Sequence, residues 1–173
     1  EDDLVFSVSG AVNGSVELLL DGYTARFTPS ENYNGTASFD YDVTDNGEAG
    51  GDEITTPPVT INVQIAAVND MPTASPATFN TNEDTTVDID LRTLVDDVET
   101  VDNDFVFTIS NVINGNVVLT GGGYIASFTP DENYNGPTSF EYSVMDNGDG
   151  ADDPITVGPV TIEVDVAAVN DTP

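Results

Sequence analysis

Apolar residues fall on every second position over most of this chain. In "SFEYSV" Phe140, Tyr142 and Val144 alternate with polar neighbours, and in "VTIEVDV" Val160, Ile162, Val164 and Val166 do the same. The first half carries matching stretches, "SFDYDV" and "VTINVQI". A period of two places one face of a strand against a core and the other in water, so these segments predict half-buried strands. No segment has a helical period. "LRTLV", Leu91 to Val95, predicts one short turn at most. Asp-Gly in "LLLDGYTARF" and Gly-Gly in "LTGGGYIASF" separate two apolar runs each, which predicts hairpins.

The two halves are copies. A shift of 101 positions lays residues 1–72 over 102–173 without a gap, and about 40 of the aligned pairs are identical, which marks a tandem array. Two units are therefore expected, residues 1–70 and 71–173. Residues 73–101 of the second have no partner in the first, which is expected to lack its N-terminal strands and to be a window on a longer array. Each complete unit then holds about seven short strands in about 100 residues, the proportions of a β-sandwich, with a barrel as the alternative.

"ENYNG" recurs at residues 31–35 and 132–136, each time after "FTP" and before the strand that begins at Phe39 or Phe140. Asn and Gly tolerate left-handed backbone, so this is a connecting loop. Tyr33 and Tyr134 are expected to plug the end of the sandwich with their hydroxyls bonded to backbone. Packing explains the Tyr and Gly but not the acidic residue held beside them, Glu31 or Glu132.

Composition narrows the chemistry. The chain has 32 acidic residues against Arg26 and Arg92 alone, no His, and a formal net charge of -30. Such a chain repels phosphate backbones and anionic lipid, so neither nucleic acid nor a membrane surface is an expected partner; cations are. With no cysteine, disulfides, zinc-thiolate sites and thiol catalysis are excluded. No apolar run approaches the length that spans a bilayer as a helix, and any export signal or anchor is expected outside these residues.

Carboxylates gather in "NED" (residues 82–84), "DDVETVDND" (96–104), "DENYNG" (131–136), "MDNGDGADD" (145–153) and the two "AAVND" segments. Loops dense in Asp, Asn and Gly supply the six to eight oxygen ligands that calcium takes, whereas magnesium keeps more of its water. Acidic loops also serve merely to keep a protein soluble.

"AAVNDMPTASP" and "AAVNDTP" are similar to the linker between cadherin repeats, and "FTPDENYNGPTSFEYSVMDNGDG" with "VTIEVDVAAVND" closely resembles the bacterial cadherin-like tandem repeat of large surface adhesins. The resemblance covers essentially the whole chain and implies an all-β fold of tandem cadherin-like, Ig-like Greek-key sandwiches. It implies Ca2+ at the junction of consecutive units. By that resemblance Glu31 is the acidic residue at the base of the first unit, and Asn69 and Asp70 are the linker ligands. Asp102 and Asp104, in "DND", match the Asp-x-Asp pair of the following unit, and Asp146 its later loop aspartate. Glu83, Asp131, Glu132, Asn170 and Asp171 match the equivalent half-site for a third unit. Ser30 stands where the second copy has Asp131.

Two functions are compatible with these features. The first is a calcium-stiffened extender of an extracellular bacterial adhesin or surface fibre, whose partners are neighbouring repeats and like chains. The second is a module that binds polysaccharide or another cell. The chain has no Trp, and its Tyr and Phe fall mostly on buried positions or in the repeated loop, which favours the extender. An enzyme is not expected: there is no His, Cys or nucleophile elbow, and a glycosidase would need two carboxylates held in a cleft with separated pKa values.

Overall fold

The structure, a computed structural model, describes residues 4–45, 47, 51–149 and 152–170. The chain divides into two compact units, Glu1–Ala67 and Val68–Pro173.

In the second unit the alternating segments form β6 (Thr73–Ala74), β7 (Ala77–Asn82), β8 (Val87–Asp90), β9 (Val95–Asp96), β10 (Val106–Ser110), β11 (Gly115–Thr120), β12 (Ile125–Pro130), β13 (Gly136–Met145) and β14 (Thr156–Ala167). A single 3-10 turn, Leu91–Leu94, follows β8, where "LRTLV" predicted one short turn. One sheet has the order β10-β13-β14-β7 and the facing one β11-β12-β8. β6 and β9 pair with each other. The strands divide between facing sheets, so the unit is a sandwich and not a barrel. All pairings in the two main sheets are antiparallel except that of β14 with β7, which is parallel.

The period of two is realised residue by residue. Phe140, Tyr142 and Val144 of β13 and Ile162 and Val164 of β14 are fully buried, and Phe128 and Ile89 of the other sheet, with Leu91 of the 3-10 turn, close over them. Phe128 stacks on Phe140 at 6.0 Å between centroids. Each such side chain contributes about 1.5–3 kcal/mol by leaving water. The Tyr142 hydroxyl donates to the Ser75 carbonyl at 2.9 Å and accepts from the Ser75 N–H at 3.1 Å, so this fully buried phenol is satisfied.

Among its described residues the first unit repeats part of the second. Its strands are β1 (Val5–Val12), β2 (Gly14–Leu18), β3 (Ala25–Pro29), β4 (Gly35–Thr44) and β5 (Val59–Ile65), in sheets β1-β4-β5 and β2-β3. They are the counterparts of β10 to β14. Among the described residues nothing takes the places of β7 and β8, so β3 is paired only to β2 and β5 only to β4. The stack recurs, Phe27 on Phe39 at 6.1 Å, but Ala37 and Phe39 are the only buried apolar side chains among the described residues of this unit.

The repeated loop behaves as its composition predicts. Asn32 and Asn133 take φ of 57° and 58°. The Tyr33 hydroxyl donates to the Thr36 carbonyl at 2.8 Å and that of Tyr134 to the Pro137 carbonyl at 2.6 Å. Gly35 and Gly136 follow at φ of 112° and 123°, a region that L side chains rarely adopt, so both loops require glycine there.

Candidate metal centre

The end of the second unit near Asn69 collects the polar side chains that the core rejects. Asp146 leaves β13 at its last turn and is buried, 1% exposed. Its Oδ1 accepts the N–H groups of Gly148 and Ile155, both at 2.9 Å, which closes the "MDNGDGADD" loop on itself. The Asn69 side chain, also buried, donates its Nδ2 to both Asp146 oxygens and to the Asp153 carbonyl, each at 3.3 Å. The Asn69 N–H goes to Asp152 Oδ2 at 3.2 Å, and that of Asp70 to Glu99 Oε2 at 3.2 Å. Asp97 Oδ2 accepts the Thr100 N–H at 2.8 Å, and Thr100, buried, donates its hydroxyl to Asn147 Oδ1 at 3.0 Å. The segments around residues 69, 97–100 and 146–153 are thereby tied together.

Three oxygens in this cluster are buried and have no hydrogen-bond partner: Asn69 Oδ1, Asp97 Oδ1 and Asp149 Oδ2. Buried acceptors left unpaired cost about 1–3 kcal/mol each, and all three are hard oxygen donors of the kind calcium selects. Loss of hydration raises the Glu99 carboxyl above its ordinary value; the charges of Asp70, Asp97 and Asp149 raise it further, against a lowering by the Asp70 N–H. Among the described residues, no three Asp or Glu side chains converge tightly enough to hold an ion as they stand. The donor set fits calcium; the convergence of carboxylates does not yet.

The residues expected from the sequence are distributed as follows. Asn69, Asp70 and Asp146 lie in this cluster, joined by Asp97, Glu99, Asp149 and Asp152, which lie in the acidic stretches named above but not among the ligands expected there. Asp102 and Asp104 are exposed, and the charge of Asp102 acts on Arg92. The Arg92 guanidinium lies 3.7 Å from the Tyr124 ring centroid, bonds both Asp90 oxygens at 2.9 and 2.6 Å, and reaches Asn103 Oδ1 at 2.7 Å. The acid-x-acid pair beside Asn69 is therefore Asp97-Val98-Glu99, one turn earlier than "DND". The same acid-x-acid spacing in "DVE" was the available signal.

Glu31 is exposed in the β3–β4 loop of the first unit. Glu83 is buried; its carboxylate accepts the Val169 N–H, and the Asn135 Nδ2 at 3.3 Å, which binds the end of β14 to the repeated loop. Asp84 accepts the Asn133 N–H at 3.1 Å. Asp131 and Glu132 are exposed in that loop and Asn170 is exposed beyond β14; Asp171 lies outside the described residues.

A Greek-key sandwich in tandem copies, with asparagine and carboxylates gathered at one end, defines a class, the β-sandwich repeats of adhesion-type proteins. The chain matches the cadherin-like domain over residues 68–165 and the bacterial Ig domain over residues 1–62. The first match covers more than half of the chain, which belongs to the cadherin-like domain family. Domains of these two kinds are typically extracellular or surface-exposed, and cadherin-like domains are adhesion or structural modules that generally bind Ca2+. Human Protocadherin-24 EC1-2 superposes with a TM-score of 0.63 at 17% identity, over 99% of this chain and 84% of that one. Human Mucin-like Protocadherin EC1-2 gives 0.58 at 16%, over 95% and 85%. Human CDH23 EC21-23 gives 0.65 at 14%, over 95% of this chain, which spans 62% of that structure. At such identities the likeness is one of fold. A comparison with curated proteins gave no match. Among the described residues no helix is long and apolar enough to cross a membrane.

Proposed function

We propose that the chain is a non-enzymatic, calcium-rigidified extender repeat of an extracellular bacterial adhesin or surface fibre, with neighbouring repeats and like chains as its partners. The observation that carries this reading is the set of three buried, unpaired oxygens on Asn69, Asp97 and Asp149 in a cluster of like charges. Asn69, Asp97, Glu99, Asp146 and Asp149 would hold the ion, with Asp70 and Asp152 at its margin. Calcium supplies charge neutralisation and a cross-link among three loops that otherwise repel. Asp97 and Glu99 here take the place that the linker resemblance gives to Asp102 and Asp104, because the turn at residues 97–100 is the one bonded to the Asn69 and Asp146 segments. Glu31, Glu83, Asp131, Glu132, Asn170 and Asp171 remain proposed ligands at the ends of the two units.

Calorimetric titration of the full chain tests the assignment. Asp97→Ala and Asp149→Ala are each expected to weaken calcium binding about tenfold or more, since each removes a charged ligand, while Asp102→Ala leaves it within about twofold. Equal losses for Asp102→Ala and Asp97→Ala would restore the ligand set that the linker resemblance implies. Indifference of the chain to millimolar calcium would leave the carboxylates as a solvated surface and remove the reading.

A further inference from the structure

Thr100 follows the Asp97-Val98-Glu99 turn directly and is buried, 5% exposed. A buried hydroxyl is costly unless it is bonded, and this one is bonded twice to a single partner. It donates to Asn147 Oδ1 at 3.0 Å and accepts the Asn147 N–H at 3.3 Å, across 47 residues of chain. The backbone N–H of Thr100 donates to Asp97 Oδ2 at 2.8 Å, three positions back. One residue therefore fixes a carboxylate of its own turn and the backbone of the loop that follows β13.

Both segments carry donors of the proposed ion. The Thr100 N–H engages one oxygen of Asp97, and the other, Oδ1, is buried without a partner. Glu99, next to Thr100 in the chain, accepts the Asp70 N–H at 3.2 Å. On the facing loop Asn147 stands between Asp146, whose Oδ1 accepts the Gly148 and Ile155 N–H groups, and Asp149, whose Oδ2 is buried and unpaired. Like charges on two loops repel, so the loops stay together only where something neutral holds them. Among the described residues the Thr100–Asn147 pair is the direct hydrogen-bonded link between residues 97–100 and 146–149; the other ties of this cluster run through Asn69 and Asp70.

We propose that Thr100 is a positioning residue for the calcium cluster. Its hydroxyl holds the turn at residues 97–99 against the loop at 146–149, so that Asp97 and Glu99 from one segment and Asp146 and Asp149 from the other are presented to one ion. This role rests on the calcium reading above and adds to it a residue that contributes no charge. Groups that orient metal ligands through hydrogen bonds set affinity nearly as strongly as the ligands themselves.

The test is calorimetric titration of the full chain with calcium, at a temperature where every variant is folded, alongside the denaturant midpoint in chelator. Thr100→Val keeps the shape and removes the hydroxyl, and should weaken calcium binding about tenfold or more. Thr100→Ser keeps the hydroxyl and should restore most of the affinity. Asn147→Ala removes the acceptor at an exposed position, so it tests the same link even where Thr100→Val fails to fold, and it should weaken binding likewise. Thr138→Val is the control for stability alone. Thr138 is also buried and its hydroxyl donates to the Ile113 carbonyl, outside the cluster; the variant should lower the denaturant midpoint and leave calcium affinity unchanged. Full affinity in Thr100→Val or in Asn147→Ala overturns the positioning role and leaves the calcium reading standing. Losses as large in Thr100→Ser or Thr138→Val also overturn it, since the effect is then one of packing or of stability. A parent chain that takes up no calcium removes both the role and the reading.

Discussion

Asp146 shows how much one residue carries in the second unit. Its Oδ1 accepts two backbone N–H groups and both of its oxygens meet Asn69 Nδ2, all at a site 1% exposed. Asp146→Ala leaves those donors unpaired and should lower the stability of this unit by about 3 kcal/mol, read from its denaturant midpoint. Glu99 makes the opposite kind of contribution. Its folded pKa is raised, by lost hydration and then by Asp70, Asp97 and Asp149, so its favourable effect is complete below the ordinary glutamate range and is lost as pH rises through the folded pKa. Without divalent ions, stability measured upward from about pH 4 should fall over that window. Glu99→Gln should flatten the fall, and an unchanged slope in that variant would mean the cluster is not felt at this side chain.

Among the elements, β3 and β12 carry the same Phe in different surroundings. Phe128 is fully buried between β13 and the β8 side of the sandwich, while Phe27, its copy, is partly exposed although it keeps the same stack. Phe128→Ala should cost about 3–5 kcal/mol, in the range of large core truncations. Phe27→Ala should cost less, because part of the apolar surface it removes is already in water. Two unfolding transitions followed separately, by hydrogen exchange in each unit, would compare them; equal costs would contradict the difference in burial. The turns were legible beforehand. Asn and Gly predicted the left-handed positions in both copies of "ENYNG", and the tyrosine hydroxyls found backbone carbonyls in both. The acid-x-acid pair was less legible, because "DVE" and "DND" lie a few residues apart and their local composition does not distinguish them.

For the molecule as a whole, a net charge of -30 with two cations means that the folded chain works against its own repulsion. Raising monovalent salt from about 0.02 to 0.5 M, which shortens the screening length severalfold, should raise the melting temperature when no divalent ion is present. Millimolar calcium should exceed that effect and act on the second unit first, whereas magnesium at equal concentration should resemble simple screening. Melting curves in the three salts distinguish specific binding from general neutralisation.

Period-two alternation, the internal copy and the Asn-Gly turns sufficed to predict an all-β tandem of sandwiches, because strand faces and turn conformations are local properties of neighbouring residues. The wealth of carboxylates likewise led to the expectation of a partner of positive charge. Which polar side chains stand together was decided only by tertiary structure: Asn69, Asp97 and Asp149 are far apart in sequence and gather because β6 to β14 fold one end of the unit around them. The same holds for the first unit. Among the described residues its strands have nearly the pattern of the second, yet Ala25 and Ile61 are exposed where Ala126 and Ile162 are buried, since burial depends on the strands packed alongside and not on the alternation of the strand itself.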